Sequence, residues 1–172
     1  MSKFGGKVSG GGDQNENTPD CQLYSYEDKD CPSGYDAHHI VPDFVLRYGT
    51  RKDAIKNDKR ISGMPTLKEG VCICLSEKAH KSAHEVDAAI KDLGDMGNPI
   101  GTSTLFDVLE EVKVSLDDIE PELTDDCKER IEKKIDGMFP GVDKTAVPVR
   151  TTKRPPKEGS DAYSRLANFK SK

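Results

Sequence analysis

The sequence predicts an α+β fold in which two short strands precede three helices. Two apolar runs, at residues 35–41 and 71–75, have the length and content of strands. Three later segments, at residues 77–93, 105–114 and 125–136, carry apolar residues three or four positions apart, as amphipathic helices do. A chain of 172 residues has room for one domain with a modest core. No apolar run reaches the roughly 18–20 residues of a membrane span, so no membrane partner is expected.

Composition divides the chain into four segments. Residues 1–19 are rich in Gly, Asn and Ser and predict a disordered, flexible linker. Residues 20–102 contain both strands and all four histidines, and form the candidate catalytic core. Residues 103–143 hold five basic and thirteen acidic residues, which predicts an acidic helical extension. Residues 144–172 hold eight basic and two acidic residues with several prolines, and predict an extended basic tail.

The first predicted helix carries two histidines on one face. Ser76 is a suitable N-cap, and Gly94 is a suitable stop. Apolar residues at positions 79, 83, 86 and 90 form the stripe that would face the core. His80 and His84 lie one position along from that stripe, so their side chains share a neighbouring face one turn apart. In the two later helices, Ser103 or Thr104 and Thr124 can serve as N-caps.

Five cysteines are too few and too scattered for a disulfide scaffold. Cys72 and Cys74 lie in a strand-like run and are predicted to be buried thiols. Cys21 and Cys31 flank a loop and can pair under oxidising conditions, although we do not predict that bond. No C-x-x-C pair exists, which excludes a four-cysteine zinc ribbon.

All four histidines fall in two tight pairs, His38-His39 and His80-x-x-x-His84. The i, i+4 spacing on a helix lets two imidazoles meet one metal ion. One further histidine from the first pair completes a three-nitrogen site with an open position, which is typical of a catalytic metal. The remaining histidine is then free to act as a base near neutral pH. The sequence therefore predicts a catalytic metal site.

Other histidine- or cysteine-based chemistries fit less well. Either histidine pair alone is common in proteins without a metal. The zincin motif H-E-x-x-H fails because Lys81 stands at its glutamate position. The zinc deaminase pattern fails because H-x-E and P-C-x-x-C are absent. Nothing in the sequence places Cys72 or Cys74 beside a base, as a Cys-His hydrolase needs.

The segment Asp36-Ala37-His38-His39-Ile40-Val41-Pro42, followed by Leu75-Ser76 and His80-x-x-x-His84, resembles the AHH nucleases. They are a branch of the HNH (ββα-metal, His-Me finger) superfamily, found in bacterial polymorphic toxins and contact-delivered effectors. The resemblance covers about residues 31–95. It implies a β-hairpin with a long connection and one helix around one divalent metal ion, Zn, Mg, Mn or Ni.

The same resemblance implies hydrolysis of phosphodiester bonds, usually in DNA. His38, His80 and His84 would be the metal ligands, and His39 would be the general base that activates water. The asparagine that braces the base-carrying loop in that family has no clear counterpart, since Asn57 is the only asparagine between the two pairs.

Five further residues are candidates around this site. Asp36, or a backbone carbonyl, can orient His39 and select its tautomer. Four basic residues in the connection are candidate phosphate contacts: Arg47, Arg51, Lys52 and Lys56.

The function expected from the sequence is a largely sequence-nonspecific DNase, the toxin domain of an interbacterial effector. Such an effector would be secreted, act in the cytoplasm of a target bacterium, and need a cognate immunity protein and a carrier or secretion apparatus. Two alternatives stay open: an RNase with the same site, and a non-catalytic, metal-braced nucleic-acid-binding module. The spare histidine favours catalysis, because a structural metal site has no use for it.

Overall fold

The computed structural model describes residues 21–120 and 123–171, so the predicted linker at residues 1–19 lies outside the described part. The fold is mixed α+β, as predicted. The strands are β1 (Leu23–Ser25), β2 (Tyr35–His39), β3 (Val71–Ser76), β4 (Thr102–Thr104) and β5 (Pro148–Arg150). The helices are α1 (Arg51–Ile55), α2 (Glu77–Ala83), α3 (Val86–Asp95), α4 (Leu105–Ser115), α5 (Asp125–Gly137) and α6 (Asp161–Asn168).

The first sheet is antiparallel, with strand order β1-β3-β2. Strand β2 pairs with β3 over its whole length, from Tyr35 opposite Ser76 to His39 opposite Cys72. Strand β3 runs directly into α2, and the Ser76 side chain caps that helix by accepting from the Ala79 amide. This register puts the histidines of β2 beside those of α2.

The single helix predicted at residues 77–93 is wrong, because the chain divides into α2 and α3 at this point. The amides of His84 and Glu85 donate to carbonyls three residues back, Lys81 and Ser82, which tightens the backbone and turns it. All four residues of the predicted apolar stripe are nevertheless buried. The helices predicted at residues 105–114 and 125–136 are confirmed as α4 and α5, capped by Thr104 and Thr124.

The C-terminal segment is folded, so the prediction of an extended tail is wrong. Strand β5 pairs with β4, and α6 buries Leu166 completely. Val149 is equally buried and lies in the same apolar cluster as the side chains of β3 and α4. The segment has few apolar residues, but Val149 and Leu166 are buried and attach it to the core.

Two disulfides connect distant parts of the chain, Cys21 to Cys127 and Cys31 to Cys74. The prediction that Cys74 is a thiol is therefore wrong, and Cys21 does not pair with Cys31. Pairing of β1 and β2 with β3 carries the two N-terminal cysteines apart and toward different partners. Cys72 is a buried free thiol, as predicted. Within the described residues, no helix has the length and apolar character to cross a membrane.

Candidate metal centre and cleft

Three histidines converge at the edge of the first sheet. His38 is buried on β2, His80 lies on α2, and His84 ends that helix. One ring nitrogen of each lies within 4.8 Å of those of the other two. The His80 and His84 Nε2 atoms are 3.1 Å apart, and the His38 ring centroid lies 5.1 Å and 5.2 Å from theirs.

The donor chemistry of these three residues fits a divalent cation. Tetrahedral nitrogen ligands at about 2.0–2.1 Å from zinc lie about 3.3 Å apart, close to the observed His80–His84 spacing. Burial, with the neighbouring His80 and His84, lowers the pKa of His38 to about 3, and burial likewise lowers the pKa of His80. Neutral imidazoles keep the lone pairs that a metal needs. An all-nitrogen set suits Zn or Ni better than Mg.

His39 lies beside this cluster without joining it. Its Nε2 is 3.1 Å from the Leu67 carbonyl oxygen, and its ring stacks on Tyr26 with centroids 4.7 Å apart. Burial lowers the pKa of His39, although the Leu67 carbonyl and Asp43 oppose that shift. A neutral His39 that donates its Nε2 proton to Leu67 has an unprotonated Nδ1, which is the form required of a general base.

The sequence analysis did not identify two residues that contact the His39 ring, Leu67 and Gly70. The Leu67 carbonyl takes the bracing role for which the sequence offered Asp36 or a backbone carbonyl. Gly70 lets the His39 ring approach the backbone: a Cβ at position 70 would lie 2.5 Å from the His39 Cδ2 atom. The only signal in the sequence is a glycine directly before the second strand.

Asp36 lies beside His80, a candidate metal ligand, rather than beside His39. Its Oδ2 lies 3.8 Å from the His80 Nδ1, and its side chain is 71% exposed. Alternation along β2 explains the difference, because positions 36 and 38 share the face toward α2 while position 39 lies on the other. The prediction that Asp36 supports His39 is therefore wrong.

Arg47 lines the cleft, but it is buried there rather than exposed for a phosphate contact. Its guanidinium is buried, with Nε 2.9 Å from the Asp43 carboxylate and Nη1 2.6 Å from the Gly49 carbonyl. Asp43 also pairs with Arg60. Both arginines are thus committed to holding the connection between β2 and β3.

The three remaining basic candidates are exposed on or beside α1. Arg51 lines the cleft next to the histidines, with Nη2 3.4 Å from the Tyr26 hydroxyl. Lys52 and Lys56 lie outside that lining, as far as the described residues define it. Only Arg51 of the four is therefore both exposed and next to the histidines.

The cleft is open and has a volume of about 510 Å³. All four histidines line it, together with Arg51, Asp87 and Lys153. Lys153 follows β5, so the C-terminal segment contributes a cation that the sequence suggested only as part of a basic tail. The Lys153 Nζ lies 2.9 Å from the Asp87 Oδ2.

Neither protein-family models, nor curated proteins, nor solved structures match this chain. The chemistry of the cleft is therefore inferred from its own geometry and from the motifs that form it.

Proposed function

We propose that this protein is a metal-dependent endonuclease of the HNH (ββα-metal) type. The observation that carries the proposal is the division of the four histidines: three converge within 4.8 Å, while His39 lies in the same cleft with its Nε2 3.1 Å from the Leu67 carbonyl oxygen. The order β2, β3, α2, with a long connection between the strands, supports the ββα-metal assignment. His38, His80 and His84 would hold one divalent cation.

Each group in the cleft has a defined task in phosphodiester hydrolysis. A bound divalent cation supplies Lewis-acid stabilisation of the charge on the phosphate and on the departing oxygen. His39 Nδ1 accepts a proton from the attacking water, which is worth about 10²–10⁴-fold in rate. The Leu67 carbonyl holds the Nε2 proton and so keeps the ring in the basic tautomer. Arg51 and Lys153 offset the negative charge of the substrate backbone.

DNA is the proposed substrate, cleaved with little regard to sequence. Reading bases requires side chains that a rigid helix or ribbon places in a groove. Helix α2 is occupied by the histidines and the core, and Arg51 and Lys153 are single charges on segments far apart in the chain. Such charges contact the phosphate backbone, which is the same for every sequence.

The proposed setting is that of an interbacterial effector. A nuclease of this kind would act in the cytoplasm of a target bacterium, and its producer would need an immunity protein and a carrier or secretion apparatus. The two disulfides are compatible with passage through an oxidising compartment.

Plasmid nicking by the purified protein tests the proposed activity. We expect cleavage of supercoiled DNA with Zn²⁺, Ni²⁺ or Mn²⁺, its loss with a chelator, and its return when metal is added back.

His39→Ala should abolish cleavage while calorimetry shows nearly unchanged metal affinity, because that variant removes the base and no ligand. Undiminished cleavage by His39→Ala would sink the assignment of roles.

Gly70→Ala is a second test of His39, one that removes none of the functional side chains. The added Cβ must displace the ring, and a misplacement of about 1 Å can cost about 10²-fold in rate. Gly137→Ala is the matched control, since a Cβ there meets nothing within 4 Å.

Parallel assays on single-stranded RNA separate a DNase from an RNase, and metal-dependent binding without cleavage would indicate a non-catalytic module.

A further inference from the structure

His84 makes a second polar contact, on the side of its ring away from the histidine cluster. Its Nδ1 lies 3.2 Å from the Asp87 Oδ2. Asp87 lies in the first turn of α3, three residues after His84 at the end of α2. The His84 side chain is 47% exposed, whereas that of Asp87 is only 12% exposed.

The C-terminal segment holds Asp87 from the other side. Lys153 donates to the same oxygen, Oδ2, at 2.9 Å. The backbone at Lys153 is itself fixed by the buried Arg150, which donates to the carbonyls of Thr152 and Lys153. One carboxylate oxygen thus joins a metal-ligand candidate to the backbone segment that the buried Arg150 holds.

This contact determines which His84 nitrogen faces the cluster. When Nδ1–H donates to Asp87, the lone pair lies on Nε2, the atom that approaches His80 Nε2 at 3.1 Å. A free, half-exposed histidine would instead rotate and sample both tautomers. Partners of this kind fix the orientation of metal-bound imidazoles and raise their basicity.

We propose that Asp87 is a positioning residue, which selects the tautomer and ring orientation of His84 for metal binding and is itself held by Lys153. This inference rests on the proposed metal site. It assigns to the C-terminal segment a part in forming the cleft, beyond its part in the core.

Asp36 provides an internal comparison. It is also an aspartate beside a ligand candidate, but it lies 3.8 Å from the His80 Nδ1 and is 71% exposed. Solvent competes for such a carboxylate, so it should orient its histidine only weakly. Asp36→Ala is therefore the matched control for Asp87→Ala.

Calorimetric titration of the metal-free protein with Zn²⁺ tests the proposal. We expect Asp87→Ala to weaken Zn²⁺ binding by about 10–100-fold. Asp87→Asn, which keeps an acceptor oxygen at the same place, should lose less, and Asp36→Ala should stay within about threefold of the parent, since its contact is long and exposed. Equal Zn²⁺ affinity for Asp87→Ala and the parent would overturn the assignment.

Nitrogen-15 NMR of the histidine rings in the metal-free protein provides a readout independent of metal. The parent should show His84 with its proton on Nδ1, and Asp87→Ala should move that proton to Nε2. Lys153→Met should speed exchange of the Nδ1 proton with water several-fold without changing the tautomer. An unchanged His84 tautomer in Asp87→Ala would refute the positioning role. If the parent binds no Zn²⁺ but shows the expected tautomers, the proposed function fails and the positioning contact stands.

Discussion

Removal of the Cys31–Cys74 disulfide should cost a large part of the stability of this protein. The bond closes a loop with a sequence separation of 43 residues, which contains β2, the connection and most of β3. It also fastens the end of the segment that carries Tyr26, whose ring stacks on His39. Loss of this bond should therefore lower the stability of the fold and loosen the packing around His39, the proposed base.

The expected magnitude follows from loop-closure entropy. For a loop of this length the chain-entropy relation gives about 4 kcal/mol at 25 °C. Domains are stable by only about 5–15 kcal/mol, so about a quarter or more of the total is at stake. At about 2–4 °C per kcal/mol for a chain of this size, the Tm should fall by about 8–16 °C.

Calorimetry of the Cys31→Ala/Cys74→Ala double variant measures this loss. The matched control is Cys72→Ala, which removes a buried sulfur from the same strand without cutting a cross-link. The control should lose about 1 kcal/mol, which represents side-chain burial alone. A double variant no less stable than this control would refute the loop-closure reasoning. A large loss would show how much stability the protein loses when this disulfide is reduced.

Three further outcomes follow from other contacts. Burial raises the pKa of Asp43, but Arg60 and Arg47 outweigh burial and lower it. Asp43→Asn should therefore cost about 3–5 kcal/mol at pH 7 in urea unfolding, since it leaves buried arginines unpaired. That difference should shrink as the pH falls below about 4, through the depressed pKa, and a pH-independent difference would contradict the ion-pair assignment. Leu166→Ala should cost about 2–5 kcal/mol in the same assay, because α6 buries this side chain fully; no loss would mean that α6 is detached. Arg51→Ala should reduce the salt slope of DNA binding by about 0.9, while Lys56→Ala, outside the cleft, should leave it unchanged; equal slopes for the two variants would remove Arg51 from the interface.

The parts of the fold that local signals encode were predictable. Thr104 and Thr124 cap α4 and α5 through their own side chains three residues on, so residue type and spacing were sufficient. The continuous apolar run of β3 and the i, i+4 spacing of His80 and His84 are local in the same sense. The candidate metal ligands could therefore be named from spacing and resemblance, and their convergence follows from the β2–β3 register.

Other features depend on contacts between residues far apart in the chain. The Leu67 carbonyl oxygen contacts the His39 ring at a sequence separation of 28 residues. Arg150 donates to the Gly49 carbonyl at a sequence separation of 101 residues. Backbone carbonyls carry no residue-specific signal, so no pattern in the sequence points to them. Disulfide pairing is likewise decided by which strands pair, since several pairings satisfy the same five cysteines.

The sequence by itself determined which residues form the candidate site, because imidazoles at helical spacing and a strand before a capped helix are local properties. The tertiary structure alone decided which neighbours act on them. Arg47 is lost to phosphate binding because Asp43 is buried beside it, and Lys153 enters the cleft because β5 pairs with β4. Asp87 contacts Lys153 as well as His84 because the segment after β5 packs beside α3. Each of these outcomes depends on burial and packing, which depend on the whole fold rather than on any one segment.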